Sequence, residues 1–331
     1  MSSMSRFRSL YEYRKLLVLV VVLPLFYWLH RLLFLYYVNL PLAANPVHVS
    51  SSRPHVTILT VFHELTPLYL AARANHRQYA ETHGYDYRAV DHDYMKDQHV
   101  KGRKTYNKIA HLIKVLLEVA EERGDQDWVL WADADTFIVN PAVPLETFLP
   151  PKDLVYTPAT EPFLLASSDR NGLNLGVMLI KANMWSVNLL SRVLLDPVLN
   201  SGSSHVMNDQ ASLSRILHDD PQGVALHYWD TPQSWLNNYQ PQEQWEGAVQ
   251  AHLVNRLKTN KSHFPYVERV KMIYDEAKGD FNRLSQRPEV RLLRNEAAEF
   301  WKHAEGGIDA HGVLQTRGRT KGYKSVQISH K

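Results

Sequence analysis

The sequence predicts an α/β protein whose mostly parallel sheet is flanked by helices, with a transmembrane helix at the N-terminus. Two observations predict this arrangement. Between residues 56 and 132, short apolar runs alternate with segments whose apolar residues recur every three or four positions. That order is typical of parallel sheets covered by helices. Ahead of these runs, a long apolar stretch follows a cluster of basic residues, which is the pattern of a membrane anchor.

The first half of the domain is predicted in the order strand, helix, strand, helix, strand. Its strands are predicted at the apolar runs Val56–Phe62 and Trp128–Ala132, with a further strand candidate at Tyr85–Val90. The first helix is predicted from Pro67 to Thr82 and ends at Gly84, because glycine readily adopts the left-handed conformation that closes helices. The second helix is predicted around residues 109–120, where the apolar side chains share one face, and Gly124 ends it.

The second half mixes strands and helices less regularly. Strands are predicted at Leu175–Ile180, Gly223–Trp229 and Ala248–Val254, and helices at Met184–Leu195, Gln210–Leu217 and Glu289–Ala304. The last residues are rich in Gly, Arg and Lys, and a disordered basic tail is expected there.

The N-terminus is interpreted as an uncleaved signal-anchor. The unbroken apolar run Leu16–Leu29 is too short for a hydrocarbon core of about 30 Å, so the span must continue to Leu40 with Arg31 reaching towards the interface. Basic residues before the span place the N-terminus in the cytosol. A cleaved signal peptide and a buried helix are the alternatives. The predicted parts are a cytosolic tail (1–15), a signal-anchor (16–40), a stem (41–54), a lumenal domain (55–304) and the tail (305–331).

The composition excludes several classes of protein. The formal net charge is only +3 and the basic residues form no single stripe, which argues against nucleic acid as a partner. The chain has no cysteine, so a disulfide framework and thiolate metal sites are ruled out. Any metal must be held by carboxylates, imidazoles, carbonyls or water, which favours Mn²⁺ or Mg²⁺.

Three Asp-x-Asp triplets occur, beginning at Asp91, Asp125 and Asp133. Only the third follows a buried apolar strand and precedes another apolar run. Two carboxylates in such a place are costly unless a cation pairs with them. A divalent ion is one such cation, and the alternatives are a helix cap or a nearby Lys or Arg. Asp133 and Asp135 are therefore candidate metal ligands.

Around this triplet the chain resembles glycosyltransferase family 34, the fungal galactosyl- and α-1,6-mannosyltransferases related to plant xyloglucan xylosyltransferases. Five blocks agree in order between about Val56 and Lys258. Besides the metal-binding segment from Trp128 to Pro141, the blocks are Asn75-His76-Arg77 with His83-Gly84-Tyr85, Asn174-Leu175-Gly176 with Met184-Trp185-Ser186, Asp209-Gln210, and Trp245-Glu246-Gly247 with His252. Lys108-Ile109 also resembles the family's Lys-apolar pair. The chain departs from the family in lacking a cysteine after the late histidine.

The resemblance implies a GT-A fold and retaining transfer of galactose or mannose from UDP-galactose or GDP-mannose to a glycan or glycoprotein acceptor. It also implies a lumenal position at the Golgi membrane as a single-pass type II protein. Whether the protein works alone or with a glycosyltransferase complex as partner stays open. The implied metal ligands for Mn²⁺ or Mg²⁺ are Asp133, Asp135 and His252. The implied donor-binding residues are Asp133 and Asp135 again, with Lys108, Asn174, Gly176 and Lys258.

Catalytic and acceptor roles are expected for a further set. Asp209 and Gln210 are the expected catalytic pair, with a helix cap by Asp209 or Asn208 as the alternative. Trp235 and Asn237 are expected to line an acceptor groove, with core packing as the alternative for the tryptophan. Two other function classes stay open: a lumenal metal-dependent hydrolase, which would need a positioned water, and a Golgi scaffold or glycan-binding protein without turnover. No HExxH pair supports the hydrolase.

Overall fold

The computed structural model describes residues 54–64, 66–98, 103–152, 161–169, 172–200, 208–220, 225–238, 247–253, 264–278 and 280–305. The predicted signal-anchor and basic tail lie outside these ranges, as does Lys258. Among the described residues, none of the helices combines the length and the apolar character that a membrane crossing requires.

The described residues alternate between strands and helices. The strands are β1 (Val56–Val61), β2 (Asp86–Val90), β3 (Trp128–Ala132), β4 (Thr136–Ile138), β5 (Leu164–Asp169), β6 (Gly172–Lys181), β7 (Tyr228–Asp230) and β8 (Gln250–His252). The helices are α1 (Pro67–His83), α2 (Arg103–Arg123), α3 (Met184–Leu199), α4 (Asp209–Asp219), α5 (Gln233–Leu236), α6 (Phe264–Ala277), α7 (Phe281–Ser285) and α8 (Pro288–Glu305).

The main sheet has the strand order β2-β1-β3-β6-β5-β7. β1 pairs in parallel with β2 and β3, and β5 pairs in parallel with β7. β6 is antiparallel to both of its neighbours, so it runs opposite to the other strands. The prediction of a mostly parallel sheet flanked by helices is confirmed.

Both faces of the sheet are buried. Along β3, Trp128 and Leu130 belong to one apolar cluster, whereas Val129 and Trp131 belong to the other. Because side chains alternate between the faces of a strand, the two clusters lie on opposite sides of the sheet. The second cluster includes the apolar faces of α2, α3 and α4, and the first includes the apolar face of α8.

Local signals explain where the first helices begin and end. Thr66 caps α1 by accepting a hydrogen bond from the backbone N–H of Tyr69, and Pro67 occupies the first helical position. Gly84 follows at φ 72° and donates its N–H to the carbonyl of Ala80. Gly84 therefore ends this helix as the sequence predicts.

Three expectations differ from the structure. Where a strand is expected at Gly223–Trp229, the described residues form a 3-10 turn at Ala225–His227 followed by the strand Tyr228–Asp230. Within the strand expected at Ala248–Val254, β8 occupies Gln250–His252 of the described residues. β4, β5, α5, α6 and α7 were not predicted.

A two-stranded sheet, separate from the main sheet, joins two distant parts of the chain. β4 pairs with β8 in antiparallel register, with Thr136 opposite His252. Since β4 begins one residue after Asp135, this pairing carries His252 to the end of β3.

Candidate functional site

Asp133 and Asp135 lie in the turn between β3 and β4. The turn is closed by Thr136, whose backbone N–H and hydroxyl both donate to the carbonyl of Asp133, at 3.1 and 2.8 Å. The indole N–H of Trp131 donates to Asp133 Oδ1 at 2.7 Å. These bonds hold both carboxylates at the carboxyl end of β3, where α/β sheets bind their ligands.

His252 meets these carboxylates from β8. Its Nε2 lies 3.3 Å from Asp135 Oδ1 and 4.0 Å from Asp133 Oδ2. The backbone N–H of Leu253 donates to the carbonyl of Asp135 at 2.8 Å, which locks the register beside the site. One ligand atom from each of the three residues lies within 4.8 Å of the others. The predicted metal ligands therefore come together.

Gly176 forms the wall against which the imidazole packs. A Cβ on Gly176 would lie 2.1 Å from His252 Cε1 and 2.6 Å from its Nδ1, distances that no side chain tolerates. The backbone N–H of Asp133 donates to the carbonyl of Gly176 at 2.8 Å. Glycine is required here because the backbone of β6 approaches the imidazole directly.

The donor set fits a divalent cation. His252 Nδ1 lies 2.7 Å from Asn237 Oδ1 and Nε2 faces the carboxylates. Because an amide oxygen only accepts, this contact is a hydrogen bond in the tautomer that carries its proton on Nδ1. Burial alone would lower the pKa of His252, but contact with Asp135 raises it. Burial raises the pKa of Asp133. One imidazole nitrogen and two carboxylates directed at a common point suit Mn²⁺, and the carboxylates also suit Mg²⁺.

Lys108 connects the candidate metal ligands with the predicted catalytic carboxylate. Its Nζ lies 3.4 Å from Asp133 Oδ1, 3.0 Å from Asp209 Oδ2 and 3.1 Å from the carbonyl of Leu175. Burial alone would lower the pKa of Lys108, but the charges of Asp133 and Asp209 raise it. The ammonium of Lys108 is buried between two carboxylates and is therefore not a solvated surface charge.

Asp209 opens α4 without capping it. The cap is Asn208, whose Oδ1 accepts the backbone N–H of Ala211 at 2.8 Å. The carboxylate of Asp209 is buried, and its ion pair with Lys108 supplies the cationic partner that a buried charge needs. Gln210 accepts the backbone N–H of Leu175 through Oε1 at 3.2 Å, so the predicted pair lies directly beside β6.

Both polar groups of the Asn174 side chain form hydrogen bonds within β5 and β6. Its Oδ1 accepts the backbone N–H of Gly176 at 2.8 Å, and its Nδ2 donates to Asp169 at 2.9 Å. The register between β5 and β6 shifts between Ala166 and Ser167, and Ser167 pairs with Asn174. Asn174 thus lies at the site and presents Gly176 to it.

The two residues expected to bind an acceptor are buried instead. Trp235 is fully buried, packs against Phe148 and Phe300, and donates its indole N–H to Glu296. Asn237 is 1% exposed and faces His252. Neither side chain offers a surface on which a sugar can pack, so the structure corrects both expectations.

Two residues of α1 contribute to the site although sequence reasoning did not single them out for it. Asn75 holds the outer edge of β4, because its Oδ1 accepts the N–H of Ile138 at 2.7 Å and its Nδ2 donates to the carbonyl of Ile138 at 3.1 Å. His76 lies between the hydroxyls of Thr60 and Thr136, at 3.2 and 3.1 Å. The available signal was two polar residues within the apolar stripe of α1.

Several known proteins are similar to this chain. A Saccharomyces cerevisiae protein described as a probable alpha-1,6-mannosyltransferase, MNN10, is 28% identical over an alignment of 169 residues that covers 44% of this chain and 42% of that protein. The chain therefore spans less than half the length of that relative.

Solved glycosyltransferase structures give weaker likenesses. A glycosyltransferase involved in glycosylation of the major capsid of PBCV-1 is 16% identical over 65% of this chain and 99% of its own, with a TM-score of 0.47. A Drosophila galactosyltransferase 7 in complex with manganese, UDP-Gal and xylobiose is 13% identical over 63% of this chain and 75% of its own, with a TM-score of 0.32. Neither likeness is close enough to support a statement about this chain.

The decisive match is to a family. The sequence pattern of the galactosyl transferase GMA12/MNN10 family matches residues 56–161 and 156–264, which together make up more than half of the 331 residues. The match spans Lys108, both aspartates of the third triplet, Asp209 and His252. This chain belongs to the galactosyl transferase GMA12/MNN10 family, a family of glycosyltransferases.

Proposed function

We propose that the protein is a retaining, Mn²⁺-dependent hexosyltransferase that moves galactose or mannose from UDP-galactose or GDP-mannose to a glycan acceptor in the Golgi lumen. The observation that carries this proposal is the convergence of Asp133, Asp135 and His252 beside the buried pair Lys108–Asp209. Family membership supports the reaction class, and the mannosyltransferase relative is consistent with a hexose donor.

The metal would be held by Asp133, Asp135 and His252. When bound, Mn²⁺ would neutralise charge that develops on the diphosphate of the donor. Two of these side chains already have fixed partners, because Trp131 orients Asp133 and Asn237 orients His252.

Asp209 would stabilise positive charge at the anomeric carbon of the donor. Its carboxylate is 3.0 Å from Lys108 Nζ, so it is held in one place before substrate arrives. A fixed carboxylate avoids the reorganisation that solvent dipoles would need as charge develops. Gln210 is fixed through Oε1, and its amide nitrogen would donate to a sugar hydroxyl.

Lys108 would act mainly by bridging two carboxylates with its ammonium group. Its Nζ donates hydrogen bonds to Asp133 Oδ1 and to the carbonyl of Leu175, and it forms an ion pair with Asp209. In the proposed reaction Lys108 keeps Asp133 and Asp209 together, and it contacts a phosphate only if one of those bonds is exchanged. Lys258 is the second proposed phosphate-binding lysine.

The test is a transfer assay on the purified protein with radiolabelled UDP-galactose or GDP-mannose and an oligomannoside acceptor. We expect transfer from one donor, dependence on Mn²⁺, and abolition by EDTA. Asp135→Asn should lower kcat/KM by about 100-fold or more, because several kcal/mol of charge stabilisation are lost. Asp125→Asn, at an exposed position of the second triplet, is the matched control and should retain activity.

The assay also separates the competing function classes. Release of free sugar to water from a non-nucleotide substrate, with no transfer from either donor, would contradict the proposal in favour of a hydrolase. Mn²⁺-dependent nucleotide binding without turnover would instead indicate a binding or scaffold protein. The Golgi position and the membrane anchor are tested separately by protease protection of sealed Golgi vesicles, in which the domain should be inaccessible until detergent is added.

A further inference from the structure

Asn237 supports the imidazole of His252 from behind. The amide is 1% exposed, and its Oδ1 lies 2.7 Å from His252 Nδ1. We propose that Asn237 is a positioning residue that fixes the imidazole with its proton on Nδ1, so that Nε2 is presented to the metal. This inference rests on the proposed function and replaces acceptor binding as the role of Asn237.

The backbone around Asn237 is held as firmly as its side chain. The N–H of Asn237 donates to the carbonyl of Gln233 at 3.2 Å, which closes α5. On the next residue, the carbonyl of Asn238 accepts the N–H of His252 at 2.7 Å, and the N–H of Asn238 donates to the carbonyl of Gln250 at 3.3 Å. The segment therefore runs beside β8 on the side opposite β4.

Trp235 anchors this segment. Its carbonyl accepts the N–H of Val249 at 2.7 Å, and its indole N–H donates to Glu296 on α8 at 3.1 Å. The buried indole thus fixes α5 against the core, and α5 fixes Asn237. Burial of Trp235, which excludes it from an acceptor groove, gives it an indirect part in placing the imidazole.

The imidazole is confined on two sides. Gly176 packs against its Nδ1 and Cε1 edge so closely that a Cβ there would overlap the ring. The Asn237 oxygen receives Nδ1, and a ring rotated by half a turn would direct a carbon atom at that oxygen and lose the hydrogen bond. Only the observed orientation satisfies Asn237 and directs Nε2 at Asp135, 3.3 Å away.

The hydrogen-bond acceptor at Nδ1 determines which tautomer of His252 is favoured. With an amide oxygen at Nδ1, the neutral imidazole keeps its lone pair on Nε2, which is the form that binds a metal. Without a hydrogen-bond acceptor at Nδ1, the tautomer with its proton on Nε2 is favoured, because that N–H can donate a hydrogen bond to Asp135. That tautomer has no lone pair for the metal at the position the site requires.

The test measures Mn²⁺ affinity by isothermal titration calorimetry, with UDP and with GDP present, on the full protein and three variants. Asn237→Leu preserves the size of the side chain but removes the hydrogen-bond acceptor at Nδ1. We expect its Mn²⁺ affinity to fall by about 10- to 100-fold, as is typical for loss of a group that orients a metal ligand. Asn237→Asp restores an acceptor oxygen and should bind Mn²⁺ within about threefold of the parent protein.

Asn183→Leu is the matched control. Asn183 caps α3 through a hydrogen bond to the N–H of Ser186, so the variant loses a comparable bond away from the site and should keep full Mn²⁺ affinity. Asn237→Ala answers the same question if the leucine variant does not fold. Unchanged Mn²⁺ affinity in the leucine or alanine variant, with a raised KM for the acceptor, would overturn the inference in favour of acceptor binding.

Failure of the proposed function gives a different result. If the parent protein bound no Mn²⁺ with either nucleotide, both the proposed function and the role of Asn237 would be overturned. If the parent bound Mn²⁺ and transferred sugar while the leucine variant bound Mn²⁺ equally well, only the role of Asn237 would be lost.

Discussion

His76 is a buried histidine whose surroundings favour its neutral form. It is 1% exposed and lies between two threonine hydroxyls, one on β1 and one that closes the turn of the candidate metal ligands. Burial lowers its pKa to about 4 from the ordinary value of 6.5. The imidazole can therefore share hydrogen bonds with Thr60 and Thr136 without bringing a positive charge into the core.

This histidine makes stability depend on pH. Between pH 6.5 and about 4 the unfolded chain binds a proton at this position and the folded protein does not, so the free energy of unfolding falls as the pH is lowered. The full loss due to His76 is about 3 kcal/mol. We expect His76→Asn to be less stable than the parent at pH 7.5, with the gap narrowing towards pH 4.5 in urea unfolding. A gap that stays constant over this range would contradict the assignment.

Gly176 gives a second prediction at the scale of one residue. In Gly176→Ala the new methyl group would overlap the imidazole of His252, so the ring must leave its place between Gly176 and Asn237. We expect a loss of about 1–3 kcal/mol in stability, typical of overpacking, and a weakened Mn²⁺ affinity in calorimetric titrations. In Gly247→Ala the added carbon meets nothing within 4 Å, and this control should retain Mn²⁺ binding.

At the scale of elements, β4 depends on side chains for one of its edges. One edge pairs with β8, and the other is bonded by the amide of Asn75, which satisfies both backbone groups of Ile138. The helix α1 therefore helps to hold β4, and with it the turn that carries Asp133 and Asp135.

Removing this amide should release β4. In Asn75→Leu the N–H and C=O of Ile138 stay buried without their partners, which costs about 3 kcal/mol in the free energy of unfolding. Chemical denaturation would measure this loss. The same substitution at the exposed Asn282 should change stability by less than about 0.5 kcal/mol. Equal losses in the two variants would show that the bonds to Ile138 contribute nothing specific.

The sequence predicts some elements much better than others, for physical reasons. β1 and β3 are continuous apolar runs and α2 has a clear apolar face, so their positions follow from local patterns. The sequence does not predict β5 because the second half of this strand is polar. Ser167, Ser168 and Asp169 lie at the end of the strand that faces the site. The strand expected at Ala248–Val254 contains β8, but three residues have no periodicity that would mark where the strand begins and ends.

The residues of the site also differ in how well the sequence predicts them. Asp133 and Asp135 are recognisable because polar residues after a buried strand need an explanation. His252 is a single histidine in a weak strand, and only the family resemblance selects it. Nothing local indicates that Asn237 faces its ring, since that contact depends on how α5 lies beside β8.

At the scale of the whole molecule, the antiparallel direction of β6 assembles the site. Because β6 runs opposite to β3, its first residues, Asn174 to Gly176, lie beside the last residues of β3. A parallel strand would bring its far end there instead. The same edge receives Lys108 from α2, Asp209 from the start of α4 and His252 from β8. Segments that are distant in the chain thus meet around one set of acidic groups.

This convergence predicts that metal and nucleotide stabilise the fold as a whole. The unfolded chain cannot gather three ligands from separate segments, so Mn²⁺ with the correct nucleoside diphosphate binds only the folded protein. At 100 times the dissociation constant such binding adds about 2.7 kcal/mol to the free energy of unfolding. For a domain of this size the midpoint of thermal unfolding should rise by about 5–10 °C. Thermal-shift measurements with UDP and with GDP should show this rise for one nucleotide only.

Two controls define the origin of that stabilisation. EDTA should return the midpoint to its starting value, and Asp135→Asn should abolish the rise even if its own midpoint without ligand is unchanged or higher, because the substitution removes one of the acids that repel each other in the metal-free site. Asp125→Asn should respond as the parent does. A rise that persists in Asp135→Asn would place the nucleotide away from the β3–β4 turn. The three converging side chains would then be a structural cluster without a metal.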